Sequence, residues 1–325
     1  MNSFFSKQKV MLVLLFASIA VWITINDRAP MYWKSFDHVN EAIEQAVHGQ
    51  MPGPLSYRVL FPYTEYYLHE AFPALTTGIV DFFLKSCILF AIQFFFFIYL
   101  KKFFSSMAAL AGTFLLDILL DYSLSFYLGV NVFETTDLFT VLVMLLSFDL
   151  LFRRRLKELL IVLFIGMLNR ETPVFLLIPI FLSLRKENKL RYWIIFSFFA
   201  AVIPYFLLRV IIHPVNSAPF SLLGIGKNIP GLQPELTLYA IKANLRVLLL
   251  LGSLIVIALV QFKSKPEFLR TVFWITPFFI LIHYLVGNII ESRVWMPLFI
   301  VLIPLAMSTI TEVFTDAGKT SVHQN

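Results

Sequence analysis

The sequence predicts an all-α protein: a polytopic transmembrane helix bundle with about eight full spans, a pair of short broken or re-entrant helices, and an interfacial helix in the first outer loop. Three observations predict it. Of the 325 residues, 59% are hydrophobic and 14% charged, where a soluble domain carries about 25% charged residues. The apolar residues fall into blocks of roughly 17–25, the length of helix that crosses a bilayer. Lys and Arg cluster in the short stretches between blocks, the pattern that marks cytoplasmic loops. Together these exclude a soluble enzyme, a nucleic-acid partner and a disordered chain. The single Cys87 excludes a disulfide framework and a thiolate zinc site.

The first block, Val10–Ile25, follows Lys7 and Lys9 and lacks a small-x-small cleavage site. It therefore reads as a retained signal-anchor helix with a cytoplasmic N-terminus. Further spans are expected at about 77–100, 103–123, 136–152, 192–212, 245–262, 268–287 and 294–311. Basic clusters at Lys101-Lys102, Arg153–Lys157, Arg185–Arg191 and Lys263–Arg270 alternate with them. With the two termini they hold 16 of the 26 Lys and Arg. Residues 1–311 are thus read as one transmembrane domain and 312–325 as a cytoplasmic polar tail.

Two stretches depart from simple spans. In the outer loop 27–76, residues 35–48 carry an apolar stripe of Phe36, Val39, Ile43, Ala46 and Val47. Asp37, Glu41, Glu44 and His48 stand opposite, and Gly49 is placed to cap the helix. Residues 158–184 have basic clusters at both ends and Asn169-Arg170-Glu171-Thr172-Pro173 in the middle. The apolar runs on either side reach about 17 Å each as helix, roughly half a bilayer. Two short helices meeting at a polar turn satisfy this, with Thr172 as N-cap and Pro173 in the first turn. Irregular backbone at membrane depth is tolerated only against protein or a water-filled cavity, so Asn169–Pro173 is a cavity-lining candidate.

The chemistry-bearing residues fall on the outer side. Arg58 sits among apolar and aromatic residues, where a guanidinium calls for a carboxylate or phosphate; the tyrosines around it read as an aromatic belt. Asp81 and Lys85, four apart, suggest a salt bridge on one helix. Asp117 and Asp121, with Glu134 and Asp137 beyond the next turn, suggest a cation, an Arg partner or a wet opening. Arg209 precedes His213-Pro214, and Glu291-Ser292-Arg293 opens the last helix. Each charge alone is as well explained by helix-gluing ion pairs. The set Asp37, Arg58, Arg170, Glu171, Glu291 and Arg293 favours a site, because all six share one side. No phosphate-binding Gly-rich loop or His-x-x-x-His ligand pair occurs.

The stretch Phe36-Asp37-His38-Val39-Asn40-Glu41-Ala42, then Gly49, then Tyr57-Arg58-Val59-Leu60-Phe61-Pro62 resembles the first outer loop of the GT-C superfamily of polytopic membrane glycosyltransferases. Asn169-Arg170-Glu171-Thr172 is similar to that family's shortened central spans with an Arg-Glu pair. The likeness of layout covers roughly residues 1–185, with one Asp where the family has an adjacent acidic pair. It implies an inverting transfer of a sugar from a polyprenyl-phosphate donor to a glycan or lipid acceptor at the extracytoplasmic face of a bacterial inner or plasma membrane. Asp37 and Glu171 would be catalytic, Asp37 as general base. Arg58, Arg170, Arg293, Arg209, His213 and Glu291 would hold or orient the phosphate. No cofactor is required by any spacing, and a divalent cation, Mg or Mn, is compatible with the acidic residues. A broken helix also fits a flippase or secondary transporter of a lipid-linked or anionic substrate. Outward arginines also fit an O-antigen-polymerase-like or ligase-like enzyme, and paired charges fit a non-catalytic scaffold.

Overall fold

In lipid a backbone must satisfy its own hydrogen bonds, and an apolar block does so by becoming a helix. The computed structural model describes residues 7–28, 36–50, 57–125, 134–185, 187–188, 191–212, 228–229, 237–287, 289 and 291–322, and among them there is no strand. Among the described residues, seven helical stretches are long and apolar enough to cross a membrane: Thr77–Leu100, Ser106–Leu124, Glu134–Phe152, Arg191–Ile211, Ala240–Leu259, Glu267–Val286 and Ser292–Val313. The first helix, α1 (Lys7–Arg28), has a shorter apolar stretch, Val10–Asn26. The molecule is compatible with an integral membrane protein.

The chain divides into two compact units. The first comprises Met1–Phe96, Leu120–Val174 and Ile195–Pro219. It contains α1, α2 (Phe36–Val47), α3 (Leu60–Ala71), most of α4 (Thr77–Leu100), the end of α5 (Ser106–Ser125), α6 (Glu134–Phe152), α7 (Leu156–Asn169) and most of α9 (Arg191–Ile211). α2 packs on α3, α3 touches α6 and α7, and α6 lies along α7. The α6–α7 contact is close because Gly166 has no side chain: a Cβ there would stand 2.5 Å from Val143 Cγ1. α2 forms where its periodicity predicts, with Ile43 and Ala46 buried and Glu41, Glu44 and His48 exposed. Gly49 closes it at φ 68, a left-handed conformation that glycine adopts without strain, and the Gln50 N–H donates to Gln45 O at 2.8 Å.

The second unit comprises Phe97–Leu119, Phe175–Ile194 and Phe220–Asn325. Its axis is α14 (Met296–Val322), on which α11 (Ser253–Leu259) and α12 (Glu267–Phe273) pack. Leu298, Phe299, Ile300, Leu302, Ile303 and Leu305 are all buried, so the first half of α14 is apolar all round and covered all round. α8 (Leu177–Leu184) packs on α12. α10 (Thr237–Val247) continues into α11 through a π turn at Leu248–Gly252, and α13 (Ile275–Val286) follows α12. α14 runs on through Val322, so the polar tail expected from 312 begins as helix.

The expected break between 158 and 184 is present. α7 ends at Asn169, Arg170 is extended (φ −164, ψ 159), Glu171 bends, and a 3-10 turn covers Thr172–Leu176 before α8. Thr172 therefore opens a 3-10 turn rather than capping an α-helix. Pro179 supplies the reason: in a continuous α-helix its ring would meet the carbonyl of residue 175, so α-turns start only at Leu177, with Pro179 in the first turn.

Candidate functional site

The first turns of α6 organise the polar residues of the first unit. Glu134-Thr135-Thr136-Asp137 opens that helix, where carboxylates also complement the helix dipole. On one side it meets α4: Lys85 Nζ lies 2.6 Å from Glu134 Oε2, and the Thr135 hydroxyl donates to Asp81 Oδ1 at 2.6 Å. Lys85 thus reaches across to a second helix. On the other side α6 meets the end of α7. Asn169 Nδ2 donates to Thr136 O at 2.8 Å and to Thr140 Oγ1 at 3.1 Å, and Arg170 forms an ion pair with Asp137. Asp137 is 2% exposed in its side chain, so this charge pair is buried.

The next residue faces another helix. Glu171 Oε1 accepts from Arg209 Nη2 at 3.2 Å, joining the end of α7 to the end of α9. Arg209 also donates from Nη1 to Tyr205 O at 3.2 Å. Its guanidinium lies over two rings, 4.4 Å from the Tyr57 centroid and 3.5 Å from that of Tyr205. The two side chains are 24% and 34% exposed, so this second pair remains open where the first is closed.

Beside Arg209 lies an open groove of about 630 Å³, lined by Val59, Leu60, Tyr63, Thr64, Tyr67 and Leu68 of α3 and its approach, and by Leu208, Ile211 and Ile212 of α9. Leu208 precedes Arg209 in the chain, and Val59 follows Tyr57-Arg58, so charge stands at the groove's edge. Arg58 is 9% exposed and buried with Glu65 nearby in sequence. Tyr63 donates to Val47 O at 3.1 Å; burial, with Tyr67 beside it, pushes its phenol above the ordinary value, so it is a neutral donor.

The sequence-predicted residues are thus partly united. Arg170, Glu171 and Arg209 come together, and Tyr57 brings Arg58 close along the chain. Asp37 lies in the first turn of α2, about 15 Å along the axis from Val47, the end that Tyr63 holds; its side chain lies outside the described residues. His213 lies outside them altogether. Glu291 and Arg293 belong to the second unit and pair with each other at 2.8 Å. Asp121 accepts from Asn26 Nδ2 at 3.0 Å. Among the described residues no group of three or more His, Cys, Asp or Glu could hold a metal ion.

An Arg partner is among the readings the sequence offers for the acidic set that includes Asp137, and Arg170 is that partner; sequence reasoning did not find the rings of Tyr57 and Tyr205 over Arg209. It also missed two features of the second unit. Asn228 is fully buried, donating to Tyr284 O at 3.0 Å and Gly287 O at 2.8 Å at the end of α13, while its Oδ1 receives the Ile289 N–H at 3.4 Å. Lys265, counted among the orienting charges, is buried and donates to Leu305 O at 2.7 Å. Comparison of the chain with protein-family models, curated proteins and solved structures finds no match.

Proposed function

We propose that this protein is an integral-membrane glycosyltransferase that takes a sugar from a polyprenyl-phosphate donor, with its site at the extracytoplasmic face. The observation that carries this reading is the apolar groove beside a tyrosine-clamped arginine. A groove lined by leucine, isoleucine and tyrosine suits an isoprenoid chain. A guanidinium at its edge suits the phosphate, because its planar fork matches phosphate oxygens and can stabilise the charge left on the departing group. Arg170, one residue before Glu171, supplies a second cation next to the first.

The ion pair between Glu171 and Arg209 also supports a re-entrant course for 158–184. α7 ends at Asn169, two residues before Glu171, and α9 ends near Arg209, so both helices run toward the same polar cluster. The chain between them then returns to the side on which α7 began, which agrees with eight spans and cytoplasmic termini. Glu171 has its side chain within the cluster and is the first candidate for the acid–base role; Asp37 is the second.

The test is incubation of the purified protein with a panel of polyprenyl-phosphate sugars and scoring of sugar release. The expected result is release from one or a few donors, reduced about 100-fold or more by Glu171→Gln or Arg209→Leu, since a positioned acid–base group contributes roughly 10²–10⁴. No release from any donor, combined with movement of an intact lipid-linked sugar across a vesicle membrane, would overturn the transferase in favour of a flippase.

A further inference from the structure

We infer that Glu171 occupies, in the ligand-free protein, the anion seat that Arg209 offers to a lipid phosphate, and that the phosphate binds by displacing it. The inference rests on the lipid-phosphate reading above and adds to it how the site is kept closed. Arg209 is held against two rings, Tyr57 and Tyr205. A guanidinium fixed in this way cannot swing to a new anion, so the anion must come to it. Of its five N–H groups, the described residues engage two, one by Tyr205 O and one by Glu171 Oε1. The Tyr205 carbonyl belongs to the same helix, four residues back, and stays with the arginine. The Glu171 carboxylate comes from the bend after α7 and is the removable partner.

Two features fit removal. The bond is 3.2 Å long, at the loose end for a charge-assisted hydrogen bond. Both groups are also partly exposed, where an ion pair is worth little compared with a buried one. The buried Arg170–Asp137 pair next to it has the opposite character and anchors the bend while Glu171 moves. The groove is lined by Leu208, which precedes Arg209 in the chain, and by Val59, two residues past Tyr57, so the occupant that fits both parts is an isoprenoid phosphate and not a free anion. Displacement frees the Glu171 carboxylate from its cation only when the donor has arrived.

The experiment is calorimetric titration of farnesyl phosphate into the full chain in neutral maltoside micelles, with farnesol and inorganic phosphate as separate arms. Wild-type protein should bind farnesyl phosphate more tightly than either control. Glu171→Gln, which keeps the shape and removes the competing charge, should tighten farnesyl phosphate binding about threefold to fivefold. Arg209→Leu should weaken it at least about tenfold, and Glu171→Gln should give no gain on top of Arg209→Leu. Arg209→Lys, which keeps the charge without the fork, should fall between, which separates loss of the seat from loss of the fold. Unchanged or weaker binding by Glu171→Gln overturns the displacement while leaving the lipid-phosphate reading intact. Binding of inorganic phosphate as tight as that of farnesyl phosphate overturns the lipid occupant. If no form of the protein binds farnesyl phosphate, both this inference and the reading beneath it fall.

Discussion

The polar cluster at the start of α6 and the polar hub at the end of α13 do opposite things with similar numbers of hydrogen-bonding groups. The hub is neutral and saturated. Asn228 gives its amide N–H groups to carbonyls at the end of α13, takes the Ile289 N–H on Oδ1, and receives Asn244 Nδ2 on its backbone oxygen at 2.8 Å. Tyr284 closes the circuit by donating to Asn244 Oδ1 at 2.7 Å. These groups satisfy carbonyls that a helix end leaves without partners, which is a structural task. The cluster is charged, and it grades from the closed Arg170–Asp137 pair to the open Arg209–Glu171 pair within two consecutive residues of the break. Saturated neutral networks fix a fold, whereas an unsaturated cation beside a groove is available to a ligand.

That contrast has a stability consequence that can break it. Asp137→Ala removes a buried carboxylate from an arginine whose side chain is 16% exposed; truncating one member of a fully buried pair typically costs about 3–5 kcal/mol, and this pair should lie toward the lower end of that range. Asn228→Ala removes neutral hydrogen bonds only and should cost about 1–2 kcal/mol, since such bonds are individually modest in membrane proteins too. Unfolding in mixed micelles measures both. Asn228→Ala should also leave farnesyl phosphate binding unchanged. A larger loss from Asn228→Ala than from Asp137→Ala would mean that the hub, and not the cluster, holds the costlier polar groups.

Much of the fold was legible in the sequence because its signal is local. Span length, the stripe of α2, Gly49 and the break at Asn169–Pro173 can all be read within a window of twenty residues or so. The pairing was not legible, because the partners lie far apart in the chain. Lys85 and Glu134 are 49 residues apart, and Arg209 and Glu171 are 38 apart. Local spacing therefore offered Lys85 only its neighbour Asp81. The tyrosines around Arg58 are legible as an aromatic group, yet nothing in the chain says that Tyr57 and Tyr205 both lie against Arg209. Asn228 is one amide in a polar stretch, and composition gives it no mark.

A middle-sized effect sharpens the comparison through packing. Gly166 in the first unit and Gly112 in the second both sit where a Cβ would be crowded. At Gly166 the obstacles are Val143 Cγ1 and, at 3.1 Å, Pro173 Cγ, a β-branched side chain and a ring, neither of which can turn aside. At Gly112 they are the flexible ends of Met307 and Leu100. Gly166→Ala should cost about 1–3 kcal/mol by overpacking and should disturb the break through Pro173. Gly112→Ala should cost less than about 1 kcal/mol, because alanine's better helix propensity offsets a small shift of Met307. Equal losses in thermal unfolding would show that the break in the first unit is no more tightly fitted than an ordinary helix contact.

The smallest effect concerns Lys265, which buries a charge in the second unit. Its ammonium donates to Leu305 O and to the Thr309 hydroxyl, which in turn donates to Ile257 O at 2.8 Å. Burial pushes its pKa below the ordinary lysine value, opposed in part by Glu312. In the unfolded chain the same lysine titrates near 10.4. Between the lowered native value and the ordinary one, the unfolded state therefore holds a proton that the native state lacks. Stability then rises with pH across that interval and is flat below it, the reverse of a lysine that gains a carboxylate partner. Lys265→Met removes the titration and keeps the stem that fills the site. The difference in unfolding free energy between wild type and Lys265→Met, followed from neutral pH to about 10.4, should move in favour of the wild type only at the alkaline end. A difference that falls with pH would mean that the ammonium is stabilised in place, and the second unit would then hold a charge as firmly as the first.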